Sequence, residues 1–468
     1  MLTISSISFL FGVLPIFLII YLISKPRVRK YELLVLSLFF YYFNDKDHLP
    51  HLIALIIVNY LISLAITKER DTKKSKVFLL IGIVGNTVFL IFNKYIGFIK
   101  EIVQTDLLKS QSLMTGISFI VFGLISYLVD VYQQKVSVPR NPAVFADYVV
   151  MFPKVLMGPI SRYTDMKKDF DSFSVSGSDV GTGAKKYMAG FIKKMIVADN
   201  LGILVNQVNS TANVHQNATI VCLWVGAIAY SLQLFFDFSG YSDMAIGIAR
   251  MMGFHIKENF DHPYCCRGFT DFWRRWHISL SEWFRDYVYI PLGGSRQSLF
   301  RNILNLLAVW VLTGIWHGAG YTFVVWGLIY FLMIVIERYI IKPARLKKIP
   351  ALLWRVFTLL VINFNWVIFS HNTLKDGINY CLGMIGYYGN EFAASTDVRS
   401  LREYGVFLVL GVALSIPIEK SISKRLQNKE TAYTIYLYIT PIIYVLFFLW
   451  ATSFALLEYH NPFMYQQF

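Results

Sequence analysis

Charge is the first thing this chain is short of. Only 16% of its 468 residues are Asp, Glu, Lys or Arg, against about a quarter in a soluble domain. It also lacks any polar stretch long enough to be a catalytic domain by itself; the longest runs from Tyr163 to Ala184. Four cysteines (Cys222, Cys265, Cys266 and Cys381) show neither metal nor redox spacing. The adjacent pair Cys265-Cys266 closes a disulfide with difficulty and forms no C-x-x-C site, so reduced thiols in a packed interior are expected. No H-E-x-x-H or Cys/His spacing supports zinc, and no G-x-x-x-x-G-K-[ST] loop supports ATP-driven transport. GYSDM and GISFI lack the second glycine of a serine nucleophile elbow. The net charge of +15 would suggest nucleic acid on a soluble protein. Here the cations cluster in short loops between apolar runs, and no basic region free of membrane segments exists to bind nucleic acid. Internal repeats and low-complexity tracts are absent.

What is abundant is hydrocarbon. The chain is 56% hydrophobic with mean hydropathy +0.50, and apolar runs of about 18 or more residues recur from end to end. That pattern predicts an all-α, polytopic membrane protein, with room for about ten spans at roughly 20 residues each. Apolar runs are expected at about Ser5 to Ile23, Tyr31 to Phe43, Leu49 to Thr67, Val77 to Ile99 and Leu113 to Tyr132. Cations fall in alternate loops: Lys25, Arg27, Arg29 and Lys30 after the first run, and Lys68, Arg70, Lys73, Lys74 and Lys76 after the third. This asymmetry predicts an N-terminus outside and a first run that is a span rather than a signal peptide. It also accounts for the excess cations as loops facing anionic lipid.

Three later stretches depart from simple spans. Phe145 to Pro159 is apolar but interrupted by Pro153, Gly158 and Pro159 and carries Lys154. Unpaired backbone is not tolerated facing lipid, so a re-entrant or interfacial segment lining a protein cavity is expected. Lys185, Lys186, Lys193 and Lys194 recur at helical spacing beside apolar residues and predict a membrane-surface helix. Asp237 and Asp243 stand near the end of an apolar run and must be solvated or paired. Further spans are expected at Tyr321 to Ile340, Leu352 to Phe369, Tyr404 to Ile418 and Thr434 to Leu457, with Gly377 to Tyr388 ambiguous.

The ionisable chemistry concentrates between Phe269 and Gly318. Its first half mixes tryptophans with charges (Trp273, Arg274, Arg275, Trp276, His277, Glu282, Trp283, Arg285 and Asp286). Its second half passes the basic turn IPLGGSR and an apolar helix that carries His317 roughly 22 Å from that turn, at about 1.5 Å per residue. An ionisable residue at such a depth is a functional candidate, and a neutral imidazole can act as a general base towards a hydroxyl. A histidine bonded to a backbone carbonyl is the alternative. Arg274, Arg275 and Arg285 suit phosphates through charge-assisted bonds, or else belong to a juxtamembrane helix with an aromatic belt.

These residues also carry a resemblance. The segments Gly116–Tyr132, Met151–Tyr163, Phe235–Phe254, Asn259–Tyr264 (NFDHPY), Asp271–Arg296 (DFWRRWHISLSEWFRDYVYIPLGGSR), Gly314–Gly327 (GIWHGAGYTFVVWG) and the terminal NPFMY resemble, in that order, the membrane-bound O-acyltransferase family. The similarity is to its bacterial alginate O-acetylase and peptidoglycan or cell-wall polysaccharide O-acetylase branch. It implies one membrane-embedded domain over residues 1–468, with ten to eleven helices in a ring around a central passage. It implies that His317 is the embedded catalytic histidine and His277 the second characteristic one, on the side where the acyl donor enters. Trp276 and the three arginines are expected on that donor side. The implied activity moves an acetyl group from cytoplasmic acetyl-CoA, a cosubstrate rather than a resident cofactor, to hydroxyls of an extracytoplasmic polysaccharide. A secreted or membrane-anchored partner transferase is expected to finish the transfer, and the bacterial inner membrane to house it; no metal is called for. Two alternatives remain: D-alanyl transfer to teichoic acid from a carrier-protein thioester, and transport of a lipid-linked precursor. A scaffold for a secreted transferase is a third class. The ending MYQQF departs from the aromatic-basic ending of relatives, which touches partner docking rather than catalysis.

Overall fold

In the computed structural model, the described residues are 2–103, 113–211, 213–318, 320–342, 347–457 and 463. Arg345, His460 and the terminal NPFMY and MYQQF, apart from Phe463, lie outside them. Among the described residues the regular structure is helical throughout, with no strand. Seven helices among the described residues are long and apolar enough to cross a membrane, or eight if the pair Ser395–Leu414 and Ile418–Leu426, bent by 52°, is one span. Phe9–Ile23 and Ile117–Tyr132 are shorter apolar helices. The chain is a multi-pass membrane protein.

By its contacts the chain divides into two compact units. One comprises Met1–Tyr187, Tyr241–Glu258 and Glu282–Tyr287, the other Met188–Gly240, Asn259–Ser281 and Val288–Phe468.

In the first unit, the spans Leu49–Lys68 and Lys73–Ile96 keep most of their apolar side chains on the outside, as lipid-facing helices do. They are tied by a reciprocal pair of amide bonds between Asn59 and Asn86, at 3.2 and 2.7 Å, the kind of polar contact that fastens helices where hydrophobic attraction is lost to lipid. Ile117–Tyr132 is different: it is buried along nearly its whole length, which explains why a short helix suffices there. Trp283 stacks on Phe122 at 3.9 Å and donates its indole N–H to the Phe122 carbonyl at 2.9 Å. The interrupted segment forms two helices, Pro142–Val150 and Phe152–Val155, broken at Met151, and residues 147–160 are buried throughout. The proline-broken backbone is thus enclosed by protein, as its chemistry requires.

The expected surface helix is only half right. Gly177–Ile192 is helical, but it continues through a wider π-type turn, Lys193–Ala198, into Asp199–Asn209. That turn swings Lys194 inward, where it is 2% exposed between two carboxylates. Lys194 is therefore a buried ion-pair residue and not part of a lysine-lined lipid surface. The spacing that suggested one face assumed an unbroken 3.6-residue period, and the wider turn shifts it.

The second unit packs Leu299–His317 against Tyr321–Val335. Two glycines set that contact. A Cβ on Gly314 would meet the Phe323 carbonyl oxygen at 2.6 Å, and one on Gly327 would meet that of Trp310 at 2.7 Å. Small residues at these points let the helix backbones approach. Lys348–Ser370 packs next to Tyr321–Val335, and between them rises an aromatic core of Phe272, Trp273, Trp310, Trp326, Tyr330 and Trp366. The ambiguous stretch near Gly377 is the helix Leu374–Met384.

Candidate functional site

Both candidate histidines belong to the second unit, and they meet through one tryptophan. His317 is the last residue of the helix Leu299–His317 and is 2% exposed. Its ring sits edge-on to Trp316, Trp326 and Phe369, with centroids 4.7, 4.9 and 5.4 Å away. His277, 1% exposed, has the Trp316 ring at 6.1 Å, Phe238 at 4.7 Å and Phe260 at 6.4 Å, centroid to centroid. Residues 40 positions apart in sequence are thereby brought around a single indole.

The local build explains how. The carboxylate of Glu337 accepts the backbone N–H groups of Phe269 and Thr270 at 2.6 and 2.8 Å. It thus caps the short helix Phe269–Trp273 from a distant part of the chain, as an anion does at a helix N-terminus. The chain then turns at His277, whose φ of 44° lies in the left-handed region, a conformation that costs a non-glycine residue about 1–2 kcal/mol. Bonds on both sides hold it. The Asn259 carbonyl accepts the Ile278 N–H at 2.9 Å, and the Arg275 carbonyl accepts the Asp261 N–H at 2.9 Å. A strained backbone held by its surroundings is a recurrent mark of functional positions.

The electrostatic setting of His277 follows from burial. With aromatic rings as neighbours, the charged imidazolium is disfavoured and the pKa is pushed down to about 3, so the ring is neutral at physiological pH.

The expected donor-side residues have different fates. Trp276 is 1% exposed and packed among Phe272, Phe260 and Trp366, where it forms a wall of the aromatic core. Arg275 bonds Asp271 at 2.9 Å and approaches Asp261 at 3.7 Å, so its charge is matched within the protein. Arg274 is exposed, and among the described residues it forms no ion pair. In the first unit Arg285 faces Asp286 at 2.6 Å and Glu282 at 3.8 Å. Burial would raise the Asp286 carboxyl, yet Arg285 and Arg162 hold it below its ordinary range.

Sequence reasoning missed three features. Asn259 is buried against His277 and Ser279; it opens the NFDHPY segment, with no local sign of a role. Lys194 joins Asp237 and Asp199, each at 2.7 Å, and its ammonium lies 4.4 Å from the Phe463 ring centre. Burial lowers its pKa, but the two carboxylates outweigh that and raise it. In the first unit Lys154 lines a cavity of about 20 Å³ with Ile120, Leu124, Tyr148 and Ser161, enough for about one water. Its ammonium sits 4.1 Å from the Tyr148 ring centre, and burial pushes it down to about 7. The two carboxylates that needed partners have them: Asp237 in Lys194, and Asp243 in Lys186 at 3.0 Å. Among the described residues no group of three or more His, Cys, Asp or Glu could hold a metal ion.

Comparison with known proteins extends this geometry. The family model of the membrane-bound O-acyltransferases matches residues 63–375, which include both histidines. The chain is 39% identical over 381 residues to the probable alginate O-acetylase AlgI of Pseudomonas aeruginosa, covering 79% of this chain and 72% of that protein. It is 31% identical over 420 residues to the peptidoglycan O-acetyltransferase of Helicobacter pylori, covering 81% and 79%. To the teichoic acid D-alanyltransferase of Bacillus subtilis it is 29% identical over 271 residues, covering 54% and 67%. The buried histidine pair thus lies in an acyltransferase, and the chain belongs to the membrane-bound O-acyltransferase family.

Proposed function

We propose that this enzyme moves the acetyl group of acetyl-CoA towards hydroxyls of an extracytoplasmic polysaccharide, with His317 as general base. The observation that carries the reading is the placement of His317 and His277 around Trp316, both in aromatic walls. In the step, the acceptor O–H bond breaks and its proton passes to His317. The oxygen attacks the thioester carbonyl, forming the new C–O bond. Collapse of the tetrahedral intermediate breaks the C–S bond, and the CoA sulfur leaves with the proton returned by the imidazolium. Partial negative charge at the C-terminal end of the Leu299–His317 helix lies beside the cation formed in this step. His277, neutral and fixed, positions the donor or steadies the developing oxyanion. Arg274, exposed and outside the internal ion pairs, suits the phosphates of the donor, whereas Arg275 and Arg285 are engaged with carboxylates.

The acetyl donor and the polysaccharide acceptor are favoured by the identities to alginate and peptidoglycan O-acetyltransferases, which exceed the identity to the D-alanyltransferase in both level and coverage. Membership of an acyltransferase family sets the transporter reading aside. The enzyme acts in the bacterial cytoplasmic membrane and passes the acetyl group to a partner transferase outside. The test supplies acetyl-labelled acetyl-CoA to the protein in lipid nanodiscs, with candidate polysaccharides and candidate partner transferases. Label in ester linkage on the polymer is the expected result. Label carried only by a D-alanyl carrier-protein substrate, with acetyl-CoA untouched, would replace this reading with D-alanyl transfer.

A further inference from the structure

We infer that Asn259 is a positioning residue that places the His277 proton on Nδ1 and so makes Nε2 the basic nitrogen of the ring. The inference deepens the proposed function and rests on it for its catalytic meaning, although the tautomer itself does not.

The argument starts from a group that can only donate. The backbone N–H of Ser279 lies 3.2 Å from the side-chain oxygen of Asn259. A backbone N–H never accepts, so the amide atom facing it is the carbonyl oxygen Oδ1 and not Nδ2. The Ser279 hydroxyl donates to the same oxygen at 2.8 Å. The third neighbour of that oxygen is His277 Nδ1 at 3.2 Å. A ring nitrogen bearing a lone pair there would face the lone pairs of the oxygen, so Nδ1 must carry the hydrogen. The serine hydroxyl also lies 3.5 Å from Nδ1. That contact is much longer than its bond to Oδ1, and giving the serine proton to Nδ1 would leave the repulsion at 3.2 Å in place. With Nδ1 protonated and the imidazole neutral, Nε2 keeps the lone pair.

The setting makes the choice firm. Asn259 is fully buried and His277 is 1% exposed, so water does not compete for either. The Asn259 backbone also accepts from Ile278, which locks the amide to the turn that carries the imidazole. Phe238 and Phe260 hold the ring plane. One asparagine therefore fixes the orientation and the tautomer of the histidine together, through acceptor geometry and without charge. A carboxylate in its place would favour the imidazolium instead.

The test uses the full chain in nanodiscs with histidine labelled in 13C and 15N. A difference spectrum between the wild type and His277→Gln isolates the two nitrogens of His277. The expected result is a protonated nitrogen correlated with Cγ, which identifies Nδ1, and an unprotonated Nε2. In Asn259→Ala the Nδ1–H signature is lost; Asn259→Asp, which keeps an oxygen before the same donors, retains it. A wild-type ring protonated on Nε2, or an unchanged Nδ1–H in Asn259→Ala, overturns the inference. Should Asn259→Ala fail to fold, the wild-type spectrum and that of Asn259→Leu, which keeps the volume and removes the acceptor, still decide it. In turnover, Asn259→Ala is expected to lower kcat about 10- to 100-fold, the scale on which groups that orient a histidine act, with KM for acetyl-CoA changed less than about twofold. A fall in kcat with the tautomer intact also overturns it. If wild type turns over no acetyl-CoA, the proposed function fails while the spectra still judge the tautomer.

Discussion

Lys194 and His277 are both almost wholly buried in the same unit, and the protein keeps them in opposite states. Lys194 is held charged between two carboxylates at 2.7 Å. His277 is held neutral, against aromatic rings and the uncharged amide of Asn259. A closed ion cluster is a structural fastener, because removing either sign strands the other in a low-dielectric interior. A neutral imidazole in an aromatic box can take part in a reaction without first breaking an ion pair. His317 is also packed edge-on by aromatic rings, those of Trp316, Trp326 and Phe369. Under the proposed function, the contrast separates a buried group that holds the fold from one that serves the reaction.

The sharpest way to break this contrast is at the two extremes. His317→Ala is expected to lower acyl transfer per folded molecule about 10²- to 10⁴-fold, the usual worth of a general base, with a loss of stability limited to the cavity left in its aromatic surroundings; turnover and tryptophan-fluorescence melting on one preparation check both. Lys194→Met should do the reverse. Removing the buried cation that faces Asp237 and Asp199 is expected to cost about 3–5 kcal/mol of stability, while KM for acetyl-CoA in the protein that remains folded stays within about twofold. A Lys194→Met protein as stable as wild type would refute the fastener reading. Next in size is Arg274→Gln, expected to raise KM for acetyl-CoA about 3- to 10-fold at constant kcat, with Arg275→Gln changing stability more than KM. The smallest effect is one of pH. His277 titrates near 6.5 when unfolded and near 3 when folded. Between those values the unfolded chain binds the extra proton, so stability falls as pH drops below 6.5 and is unaffected by this group above it. At pH 5.5 the loss is on the order of 1 kcal/mol. His277→Gln should remove that component from the acid limb of the melting curve, and an unaltered limb would place the imidazolium in the folded state.

How much of this was legible from the residues varies with the kind of signal. The apolar runs marked most of the spans because hydropathy depends on local composition alone: Leu49–Lys68 and Lys348–Ser370 fall where the apolar runs predict them. The proline-interrupted stretch was readable too, since Pro153 removes a backbone donor wherever it stands. His317 stood out because an ionisable group at the end of an apolar helix is costly to keep there unless it serves a purpose. What could not be read depends on turns and distant contacts. The wider turn at Lys193–Ala198 moves Lys194 from the expected surface into the interior, and no one-residue change of period announces itself in composition. Trp276 and Arg275 shared a charged aromatic segment with His277, but their directions are set by Trp366 and Asp261. Asn259 acquires its role only when residues 259 and 277–279 come together. The two histidines pointed to chemistry in the sequence, whereas the contacts of Asn259 with His277 and Ser279 emerged only from the fold.

The most direct test of the central claim is a single-turnover measurement of CoA thiol release. Wild type, His317→Ala and Lys194→Met would be compared in nanodiscs with a saturating acceptor, normalised to folded protein. The account predicts wild-type rates for Lys194→Met and a loss of at least about 100-fold for His317→Ala. Undiminished release by His317→Ala, or an equal loss in both variants at equal folded concentration, would contradict it.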